Sequence, residues 1–181
     1  MTASSSPSPA DVLAQWEARE ADVRTRVTTV GLASPAQVAG LSGLEVFEEM
    51  MAGRLPAPYF GETCDFILVE AGHGRAVFQG RPLLRHFNPI GTVHGGWFAT
   101  LLDSALGCAV HTTLAPGRAY TTAELKINIV RPLTDKVPLV RAEGNVIHVG
   151  SRMATADGRL TGPDGKLYAH ASTTCFLFDA P

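Results

Sequence analysis

From Trp97 to Val110 the chain reads WFATLLDSALGCAV, apolar at nearly every position apart from Asp103 and Ser104. A surface helix carries an apolar stripe on one side; a helix apolar all round is buried on all sides. The pattern predicts one long, central, buried helix. Before it, the period is different. TCDFILVEAG and RAVFQGRP read as two strands of a hairpin turning at Gly72 and Gly74. After it, four strand-like runs follow: AYTTAELKINIVRP, KVPLVRAEGNVIHVG, SRMATADGRLTG and KLYAHASTTCFLF. Leu125, Ile127 and Ile129 alternate on one face of the first of these. The turns at Gly150-Ser151 and Gly162-Pro163-Asp164-Gly165 are short, which implies antiparallel pairing. The expected main domain is α+β, an antiparallel sheet wrapped around one helix.

The first third is patterned otherwise. Residues 1–9 are rich in Ser and Pro and are expected to be disordered. A charged helix is expected from about Ala10 to Val27, with Val12, Leu13, Trp16, Val23 and Val27 as its apolar positions. Ser34-Pro35 reads as an N-cap and a first-turn proline. Ser42 and Glu45 have capping-box spacing and open a short helix that Gly53 can close. Leu55-Pro56-Ala57-Pro58 is a stiff connector. Two units are expected: an N-terminal helical extension over 1–60 and the main domain over 61–181.

Composition narrows the class. At 181 residues the chain can bury a sizeable core. Apolar content of 45% against 18% charged suits a globular chain with much buried surface, as in an oligomer. A net charge of −2 without a basic block argues against nucleic acid. Cys64, Cys108 and Cys175 form neither a zinc motif nor a disulfide framework, which favours a reducing compartment. No signal peptide is evident, and Asp103, Ser104 and His111 interrupt the most apolar stretch, so no membrane span is expected. A cytoplasmic protein is the default.

Candidate chemistry lies between His86 and His111. Asp103 is a carboxylate in an apolar helix, where unpaired burial costs several kcal/mol or raises the pKa. Gly95 and Gly96 weaken the helix start, yet they expose N–H groups at the positive end of the helix dipole, where an oxyanion can be held. His94 and Asn88 lie beside this start as polar positioning groups. Each has a plainer reading: Asp103 as half of an interfacial ion pair, His94 as a cap, Asn88-Pro89 as a turn former. Gly95 and Asp103 are eight residues apart, roughly 12 Å along one axis. If they cooperate, one must come from a second antiparallel copy, so a homodimer with sites at the interface is expected. Trp97, Phe98 and Phe87 are expected to line an apolar pocket, with Gly96 also near the substrate.

The pattern N-x5-HGG-x6-D on a buried helix, followed by four strands, resembles the hotdog-fold thioesterases, in particular their PaaI-like, phenylacetate-pathway branch. The resemblance covers about residues 43–178, with support from LPAP, INIVRP and Gly-Lys-Leu-x-Ala-His-Ala. It implies the hotdog fold and hydrolysis of an acyl-CoA thioester. The helix carboxylate, Asp103, would be general base or nucleophile. The N–H of Gly95 would polarise the thioester carbonyl, and Asn88 and His94 would position carbonyl or water. Thr122 falls where a strand Ser or Thr contacts the carboxylate; read without the resemblance it is a plain strand residue. No cofactor or metal is implied, coenzyme A being part of the substrate. Gly150, Ser151 and Arg152 are the choice for its nucleotide end, with Arg131 another cation suited to phosphate. A non-catalytic acyl-CoA binder and an enoyl-CoA hydratase or dehydratase are the alternatives. Dimer or dimer of dimers stays open, as does the acyl group.

Overall fold

The computed structural model describes residues 7–180. The disorder expected over 1–9 therefore falls mostly outside the described residues, but its last part is ordered. Ser8 Oγ accepts a hydrogen bond from the Asp11 N–H, and the Asp11 carboxylate accepts one from the Ser8 N–H, so a complete capping box opens helix α1 (Pro9–Arg26). A four-residue turn of helix follows, α2 (Pro35–Val38), after Ser34. Helix α3 (Gly43–Met51) has the expected Ser42–Glu45 box, and Gly53 follows it at φ +77°. The Pro-flanked connector pairs with the loop after α1: Gly31 N–H donates to the Ala57 carbonyl and Ala57 N–H to that of Thr29.

Helix α4 (Tyr59–Cys64) departs from the expected pattern. The strand placed at Thr63-Cys64-Asp65 begins instead at Phe66, because Asp65 takes a left-handed turn, φ 53°, that ends α4. Asp tolerates this conformation better than most residues.

Strands β1 (Phe66–Gly72) and β2 (Arg75–Gly80) form the hairpin. Helix α5 (Gly95–His111) follows, then β3 (Arg118–Ile129), β4 (Val140–Val149), β5 (Met153–Thr161) and β6 (Leu167–Asp179). The sheet order is β1-β2-β4-β5-β6-β3, antiparallel throughout. Sequence neighbours β3 and β4 are thus not paired. After α5 the chain crosses to the far edge, lays down β3, and returns to put β4 against β2.

The sheet curls round α5, whose Leu101, Leu102, Ala105, Leu106, Ala109 and Val110 are completely buried. Two strand glycines let the helix approach. Gly144 of β4 faces Gly158 of β5 in register, and a Cβ on Gly144 would lie 2.4 Å from the Ala105 carbonyl oxygen. No helix of the described residues is long and apolar enough to cross a membrane.

Candidate active site

Although α5 is apolar on nearly every side, one stripe of it is not covered by its own chain. Gly96, Thr100, Asp103 and Gly107 share a face at helical spacing. Gly96 is exposed, Thr100 and Asp103 are half-buried, and only Gly107 is roofed, by the Tyr120 ring. The fully enclosed carboxylate expected from the sequence is corrected: within one chain, Asp103 looks out of the wrapped sheet. Thr100 and Ser104 turn their hydroxyls back onto helix carbonyls of Gly96 and Thr100.

Asp103 has one side-chain partner among the described residues. The Thr122 hydroxyl donates to Oδ1 at 3.0 Å, across nineteen residues of chain. This bond fixes the carboxylate's orientation. Oδ2 accepts no side-chain hydrogen bond among the described residues. Tyr120 and Cys175 crowd the same spot: Tyr120 precedes Thr122 by one period of the strand, and Cys175 is Thr122's register partner. Burial pushes the Tyr120 phenol well above its ordinary range and the Cys175 thiol upward as well. Both therefore stay neutral near neutral pH. The residues Tyr120, Cys108 and Cys175 were missed in the sequence; the period of two through Thr122 is the signal that finds Tyr120.

The start of α5 is a second cluster. His94 is the N-cap, and its Nδ1 accepts the Gly96 N–H at 2.9 Å. That places the proton of a neutral ring on Nε2, facing outward. The plainer reading of His94 as a cap is thus realised. With the Gly96 N–H taken, the Gly95 N–H has no acceptor among the described residues and remains an orphan donor at the positive helix end. A side chain at Gly95 would press on Ile129 at 3.2 Å, so this donor sits where β3 ends.

Asn88 is largely spent on its own turn. Its Oδ1 accepts from the N–H groups of Ile90 and Thr92, and Nδ2 donates to the Thr92 hydroxyl. Only one amide hydrogen is left for a ligand. Gly91, at φ +87°, closes this loop.

Other expected site residues are dispersed. Trp97 does not face a pocket: it is buried, its indole N–H donates to the Cys64 carbonyl, and its ring stacks on His86. Phe98 is likewise core, and Phe87 is half-buried against it. A bulky ring next to Gly80 and Leu101 is worth more as packing than as pocket wall. Gly150, Ser151 and Arg152 form the β4–β5 turn, where Ser151 and Arg152 are exposed and the Ser151 carbonyl accepts from Arg118. Arg131 lies exposed on another loop. Among the described residues no three His, Cys, Asp or Glu side chains gather as a metal site.

Residues 90–169 match the family model of the thioesterase superfamily, which spans α5 and most of the strands that follow. The six-stranded antiparallel sheet round one long helix is the hotdog fold, with an N-terminal helical layer added, and over residues 90–169 the chain is similar to the thioesterase superfamily. Within that class the likeness is to PaaI-like proteins. The phenylacetic acid degradation-related protein of Ralstonia eutropha JMP134 is 27% identical at a TM-score of 0.66, over 72% of this chain and 98% of that one. A single-residue variant of the phenylacetic acid degradation protein PaaI from Thermus thermophilus is 28% identical, TM-score 0.59, over 65% and 97%. The PaaI protein of the Escherichia coli phenylacetic acid degradation operon, at 18% identity and TM-score 0.61 over 67% and 86%, shares the fold.

Proposed function

We propose that this chain is an acyl-CoA thioesterase acting as a homodimer, with Asp103 as general base or nucleophile and the Gly95 N–H as oxyanion donor. The observation that carries the reading is the oriented, half-open Asp103–Thr122 pair on the uncovered stripe of α5. The match of residues 90–169 to the thioesterase superfamily model supports the reaction class.

The two clusters lie eight residues apart on one helix, roughly 12 Å, so one chain does not complete the site. Strand β3 supports a second copy. It is a sheet edge of 12 residues with none fully buried, next to the open stripe of α5. Ile129 and Val130 at its end are 47% and 54% exposed. Edges of this length and character call for a cover. A two-fold axis perpendicular to β3 would set two β3 edges and two α5 helices antiparallel, with Gly95 of one near Asp103 of the other.

In the general-base course, Asp103 takes a proton from water as its oxygen attacks the thioester carbon. The negative charge grows on the carbonyl oxygen and is met by the Gly95 N–H. Collapse breaks the carbon–sulfur bond, and the thiolate of CoA takes the proton. In the nucleophilic course, Asp103 Oδ2 itself attacks and the carbon–sulfur bond breaks to expel the CoA thiolate; water then opens the mixed anhydride to the free acid, restores the Asp103 carboxylate and supplies the proton that the thiolate takes up. Thr122 holds Oδ1 in both. His94 Nε2 and the spare amide hydrogen of Asn88 are donors for carbonyl or water, and exposed Arg152 suits a CoA phosphate.

Steady-state CoA release from a panel of aliphatic and aryl acyl-CoAs tests this, comparing wild type with Asp103→Asn. The expected loss is ~10²–10⁴-fold, the contribution of a positioned base, with the thermal midpoint retained. Cys64, Cys108 and Cys175 are free thiols, so release must far exceed enzyme stoichiometry. Binding without turnover would make the chain a receptor. Consumption of an enoyl-CoA double bond without CoA release would make it a hydratase.

A further inference from the structure

The N-terminal layer does more than cover the sheet. Between α1, α3, α4 and the β1–β2 hairpin lies a cavity of about 320 Å³. That is at the lower end of the ~300–1,000 Å³ typical of small-molecule sites. Val27 at the end of α1, Met50 on α3, Phe66 and Phe78 of the hairpin and, at the inner end, Cys108 of α5 line it. Burial pushes the Cys108 thiol up to about 12, so it stays neutral and adds no charge to that end. At the mouth, the one lining cation is already engaged: Arg24 pairs with Asp65 at 3.3 Å and with Glu20 at 2.8 Å, while Glu62 has no ion pair among the described residues. The cavity therefore offers a ligand burial and no free positive charge. Methionine in its wall adapts to differing shapes.

The inner end abuts the candidate active site. Cys108 lies one helical turn beyond Ser104, the neighbour of Asp103, about 6 Å along the axis. The Tyr120 ring lies over Gly107, the neighbour of Cys108, and Tyr120 stands two residues before Thr122 on the same strand. Gly107 and Tyr120 thus lie between the Cys108 end of the cavity and the Asp103 cluster. The aromatic residues expected to line a pocket, Trp97 and Phe98, are in the core instead.

We propose that this cavity receives the apolar tail of the acyl group, aliphatic or aryl, so that the N-terminal helical layer sets acyl selectivity. The inference rests on the thioesterase reading for its link to turnover, while occupancy of the cavity is measurable without it. A cavity of this size excludes a protein segment, and a lining whose one cation is already paired leaves apolar surface as what a ligand gains by entering.

The test fills the cavity from two of its lining residues, with Met50→Trp and Val27→Trp in the full chain, each checked for an unchanged thermal midpoint. Neither residue belongs to the proposed catalytic machinery. The expected result is a fall of at least tenfold in kcat/KM for octanoyl-CoA or phenylacetyl-CoA, carried by KM, with acetyl-CoA turnover unchanged. Which of the two long substrates falls identifies an alkyl or an aryl occupant. Equal effects on all three substrates, or none in either folded variant, would overturn the proposal. If wild type turns over none of them, the thioesterase reading fails by itself. Calorimetry with octanoic acid and phenylacetic acid then decides the cavity: binding that both variants abolish upholds an apolar-acyl site, and no binding to wild type overturns it.

Discussion

Helices α1 and α5 are almost equal in length, 18 and 17 residues, and are held to the same sheet by different forces. Helix α5 lies on the inner face with nine buried residues, and every polar side chain on it faces the open stripe or an end. Helix α1 lies on the outer side of β1, β2 and β4 and buries only Glu20 and Val23. Its contacts are polar. The fully buried Gln79 of β2 donates to the Trp16 carbonyl and accepts from Arg141 at 2.7 Å. Arg141 also pairs with Glu70 and lies over the Trp16 ring at 4.7 Å. Arg19 donates to the Val69 carbonyl, and Glu20 is held by Arg24 and Arg81. Burying Glu20 costs desolvation that its two arginines largely return. The apolar helix is therefore inseparable from folding, whereas the polar one is fastened at a few points that can be undone singly.

The largest effect is expected inside. Leu102→Ala removes a fully buried side chain from the middle of α5. It should cost ~2–5 kcal/mol, and the thermal midpoint should fall by ~2–4 °C for each of these in a domain of this size. All amides should lose protection together. If only α5 exchanged faster, the helix would be a separable unit and the contrast with α1 would collapse.

Arg141→Ala aims at α1 and should cost ~1–3 kcal/mol, mainly by leaving the buried Gln79 oxygen without its donor. Here hydrogen exchange should quicken over Pro9–Arg26 and leave α5 protected. Equal acceleration in both helices would mean that α1 is as integral to the core as α5. Because Val27 lines the cavity, the same variant should also blunt discrimination between long and short acyl groups.

What could be read beforehand follows the same division. Helix α5 was legible because its pattern has a single physical solution, enclosure, and the hairpin and capping boxes because they are local. Gly144 and Gly158 were not: a strand glycine reads as a weak point, and only the assembled sheet shows that the two open the space for Ala105 and Leu106. The strand order was hidden because patterning says which face is buried and not which strand is an edge, so β3 gave no sign of standing outermost. The Asp103–Thr122 bond was reached through family resemblance alone, since nothing local joins residues nineteen apart. Trp97 misled because an aromatic beside a candidate site reads as pocket, while its indole N–H was already committed to Cys64. The charged pattern of α1 concealed how it docks: Val12, Leu13, Trp16, Val23 and Val27 read as its apolar positions, while Glu20 with its arginines does much of the docking.

The smallest effect separates the two helices by pH. His111 ends α5 and is packed between the rings of Phe47, at 5.2 Å, and Tyr120, at 5.4 Å. Burial lowers its pKa below the ordinary 6.5, so the folded chain holds it neutral where the unfolded chain would take up a proton. Its contribution to stability is complete above pH 6.5, is lost as the pH falls through that value toward the folded pKa, and then levels off. His86, stacked on Trp97, is shifted the same way by burial and by Arg85, so wild-type stability reports both. His111→Phe keeps a ring against Phe47 and removes the titration, so the difference between variant and wild type isolates His111. Chemical denaturation between about pH 7.5 and 5.5 should show wild type losing ground on the variant as the pH drops. Helix α1 responds lower. Glu143, which backs its arginine network, is held below the usual carboxylate range by the Arg75 hydrogen bond. Its contribution is intact above the ordinary 4.5 and lost as the pH falls through the folded value. On acidification the α5 end should therefore weaken first, near pH 6, and α1 loosen only below about pH 4.5, the reverse of their order under Arg141→Ala. Exchange of α1 amides accelerating already at about pH 6 would show that the outer network is not governed by its carboxylates.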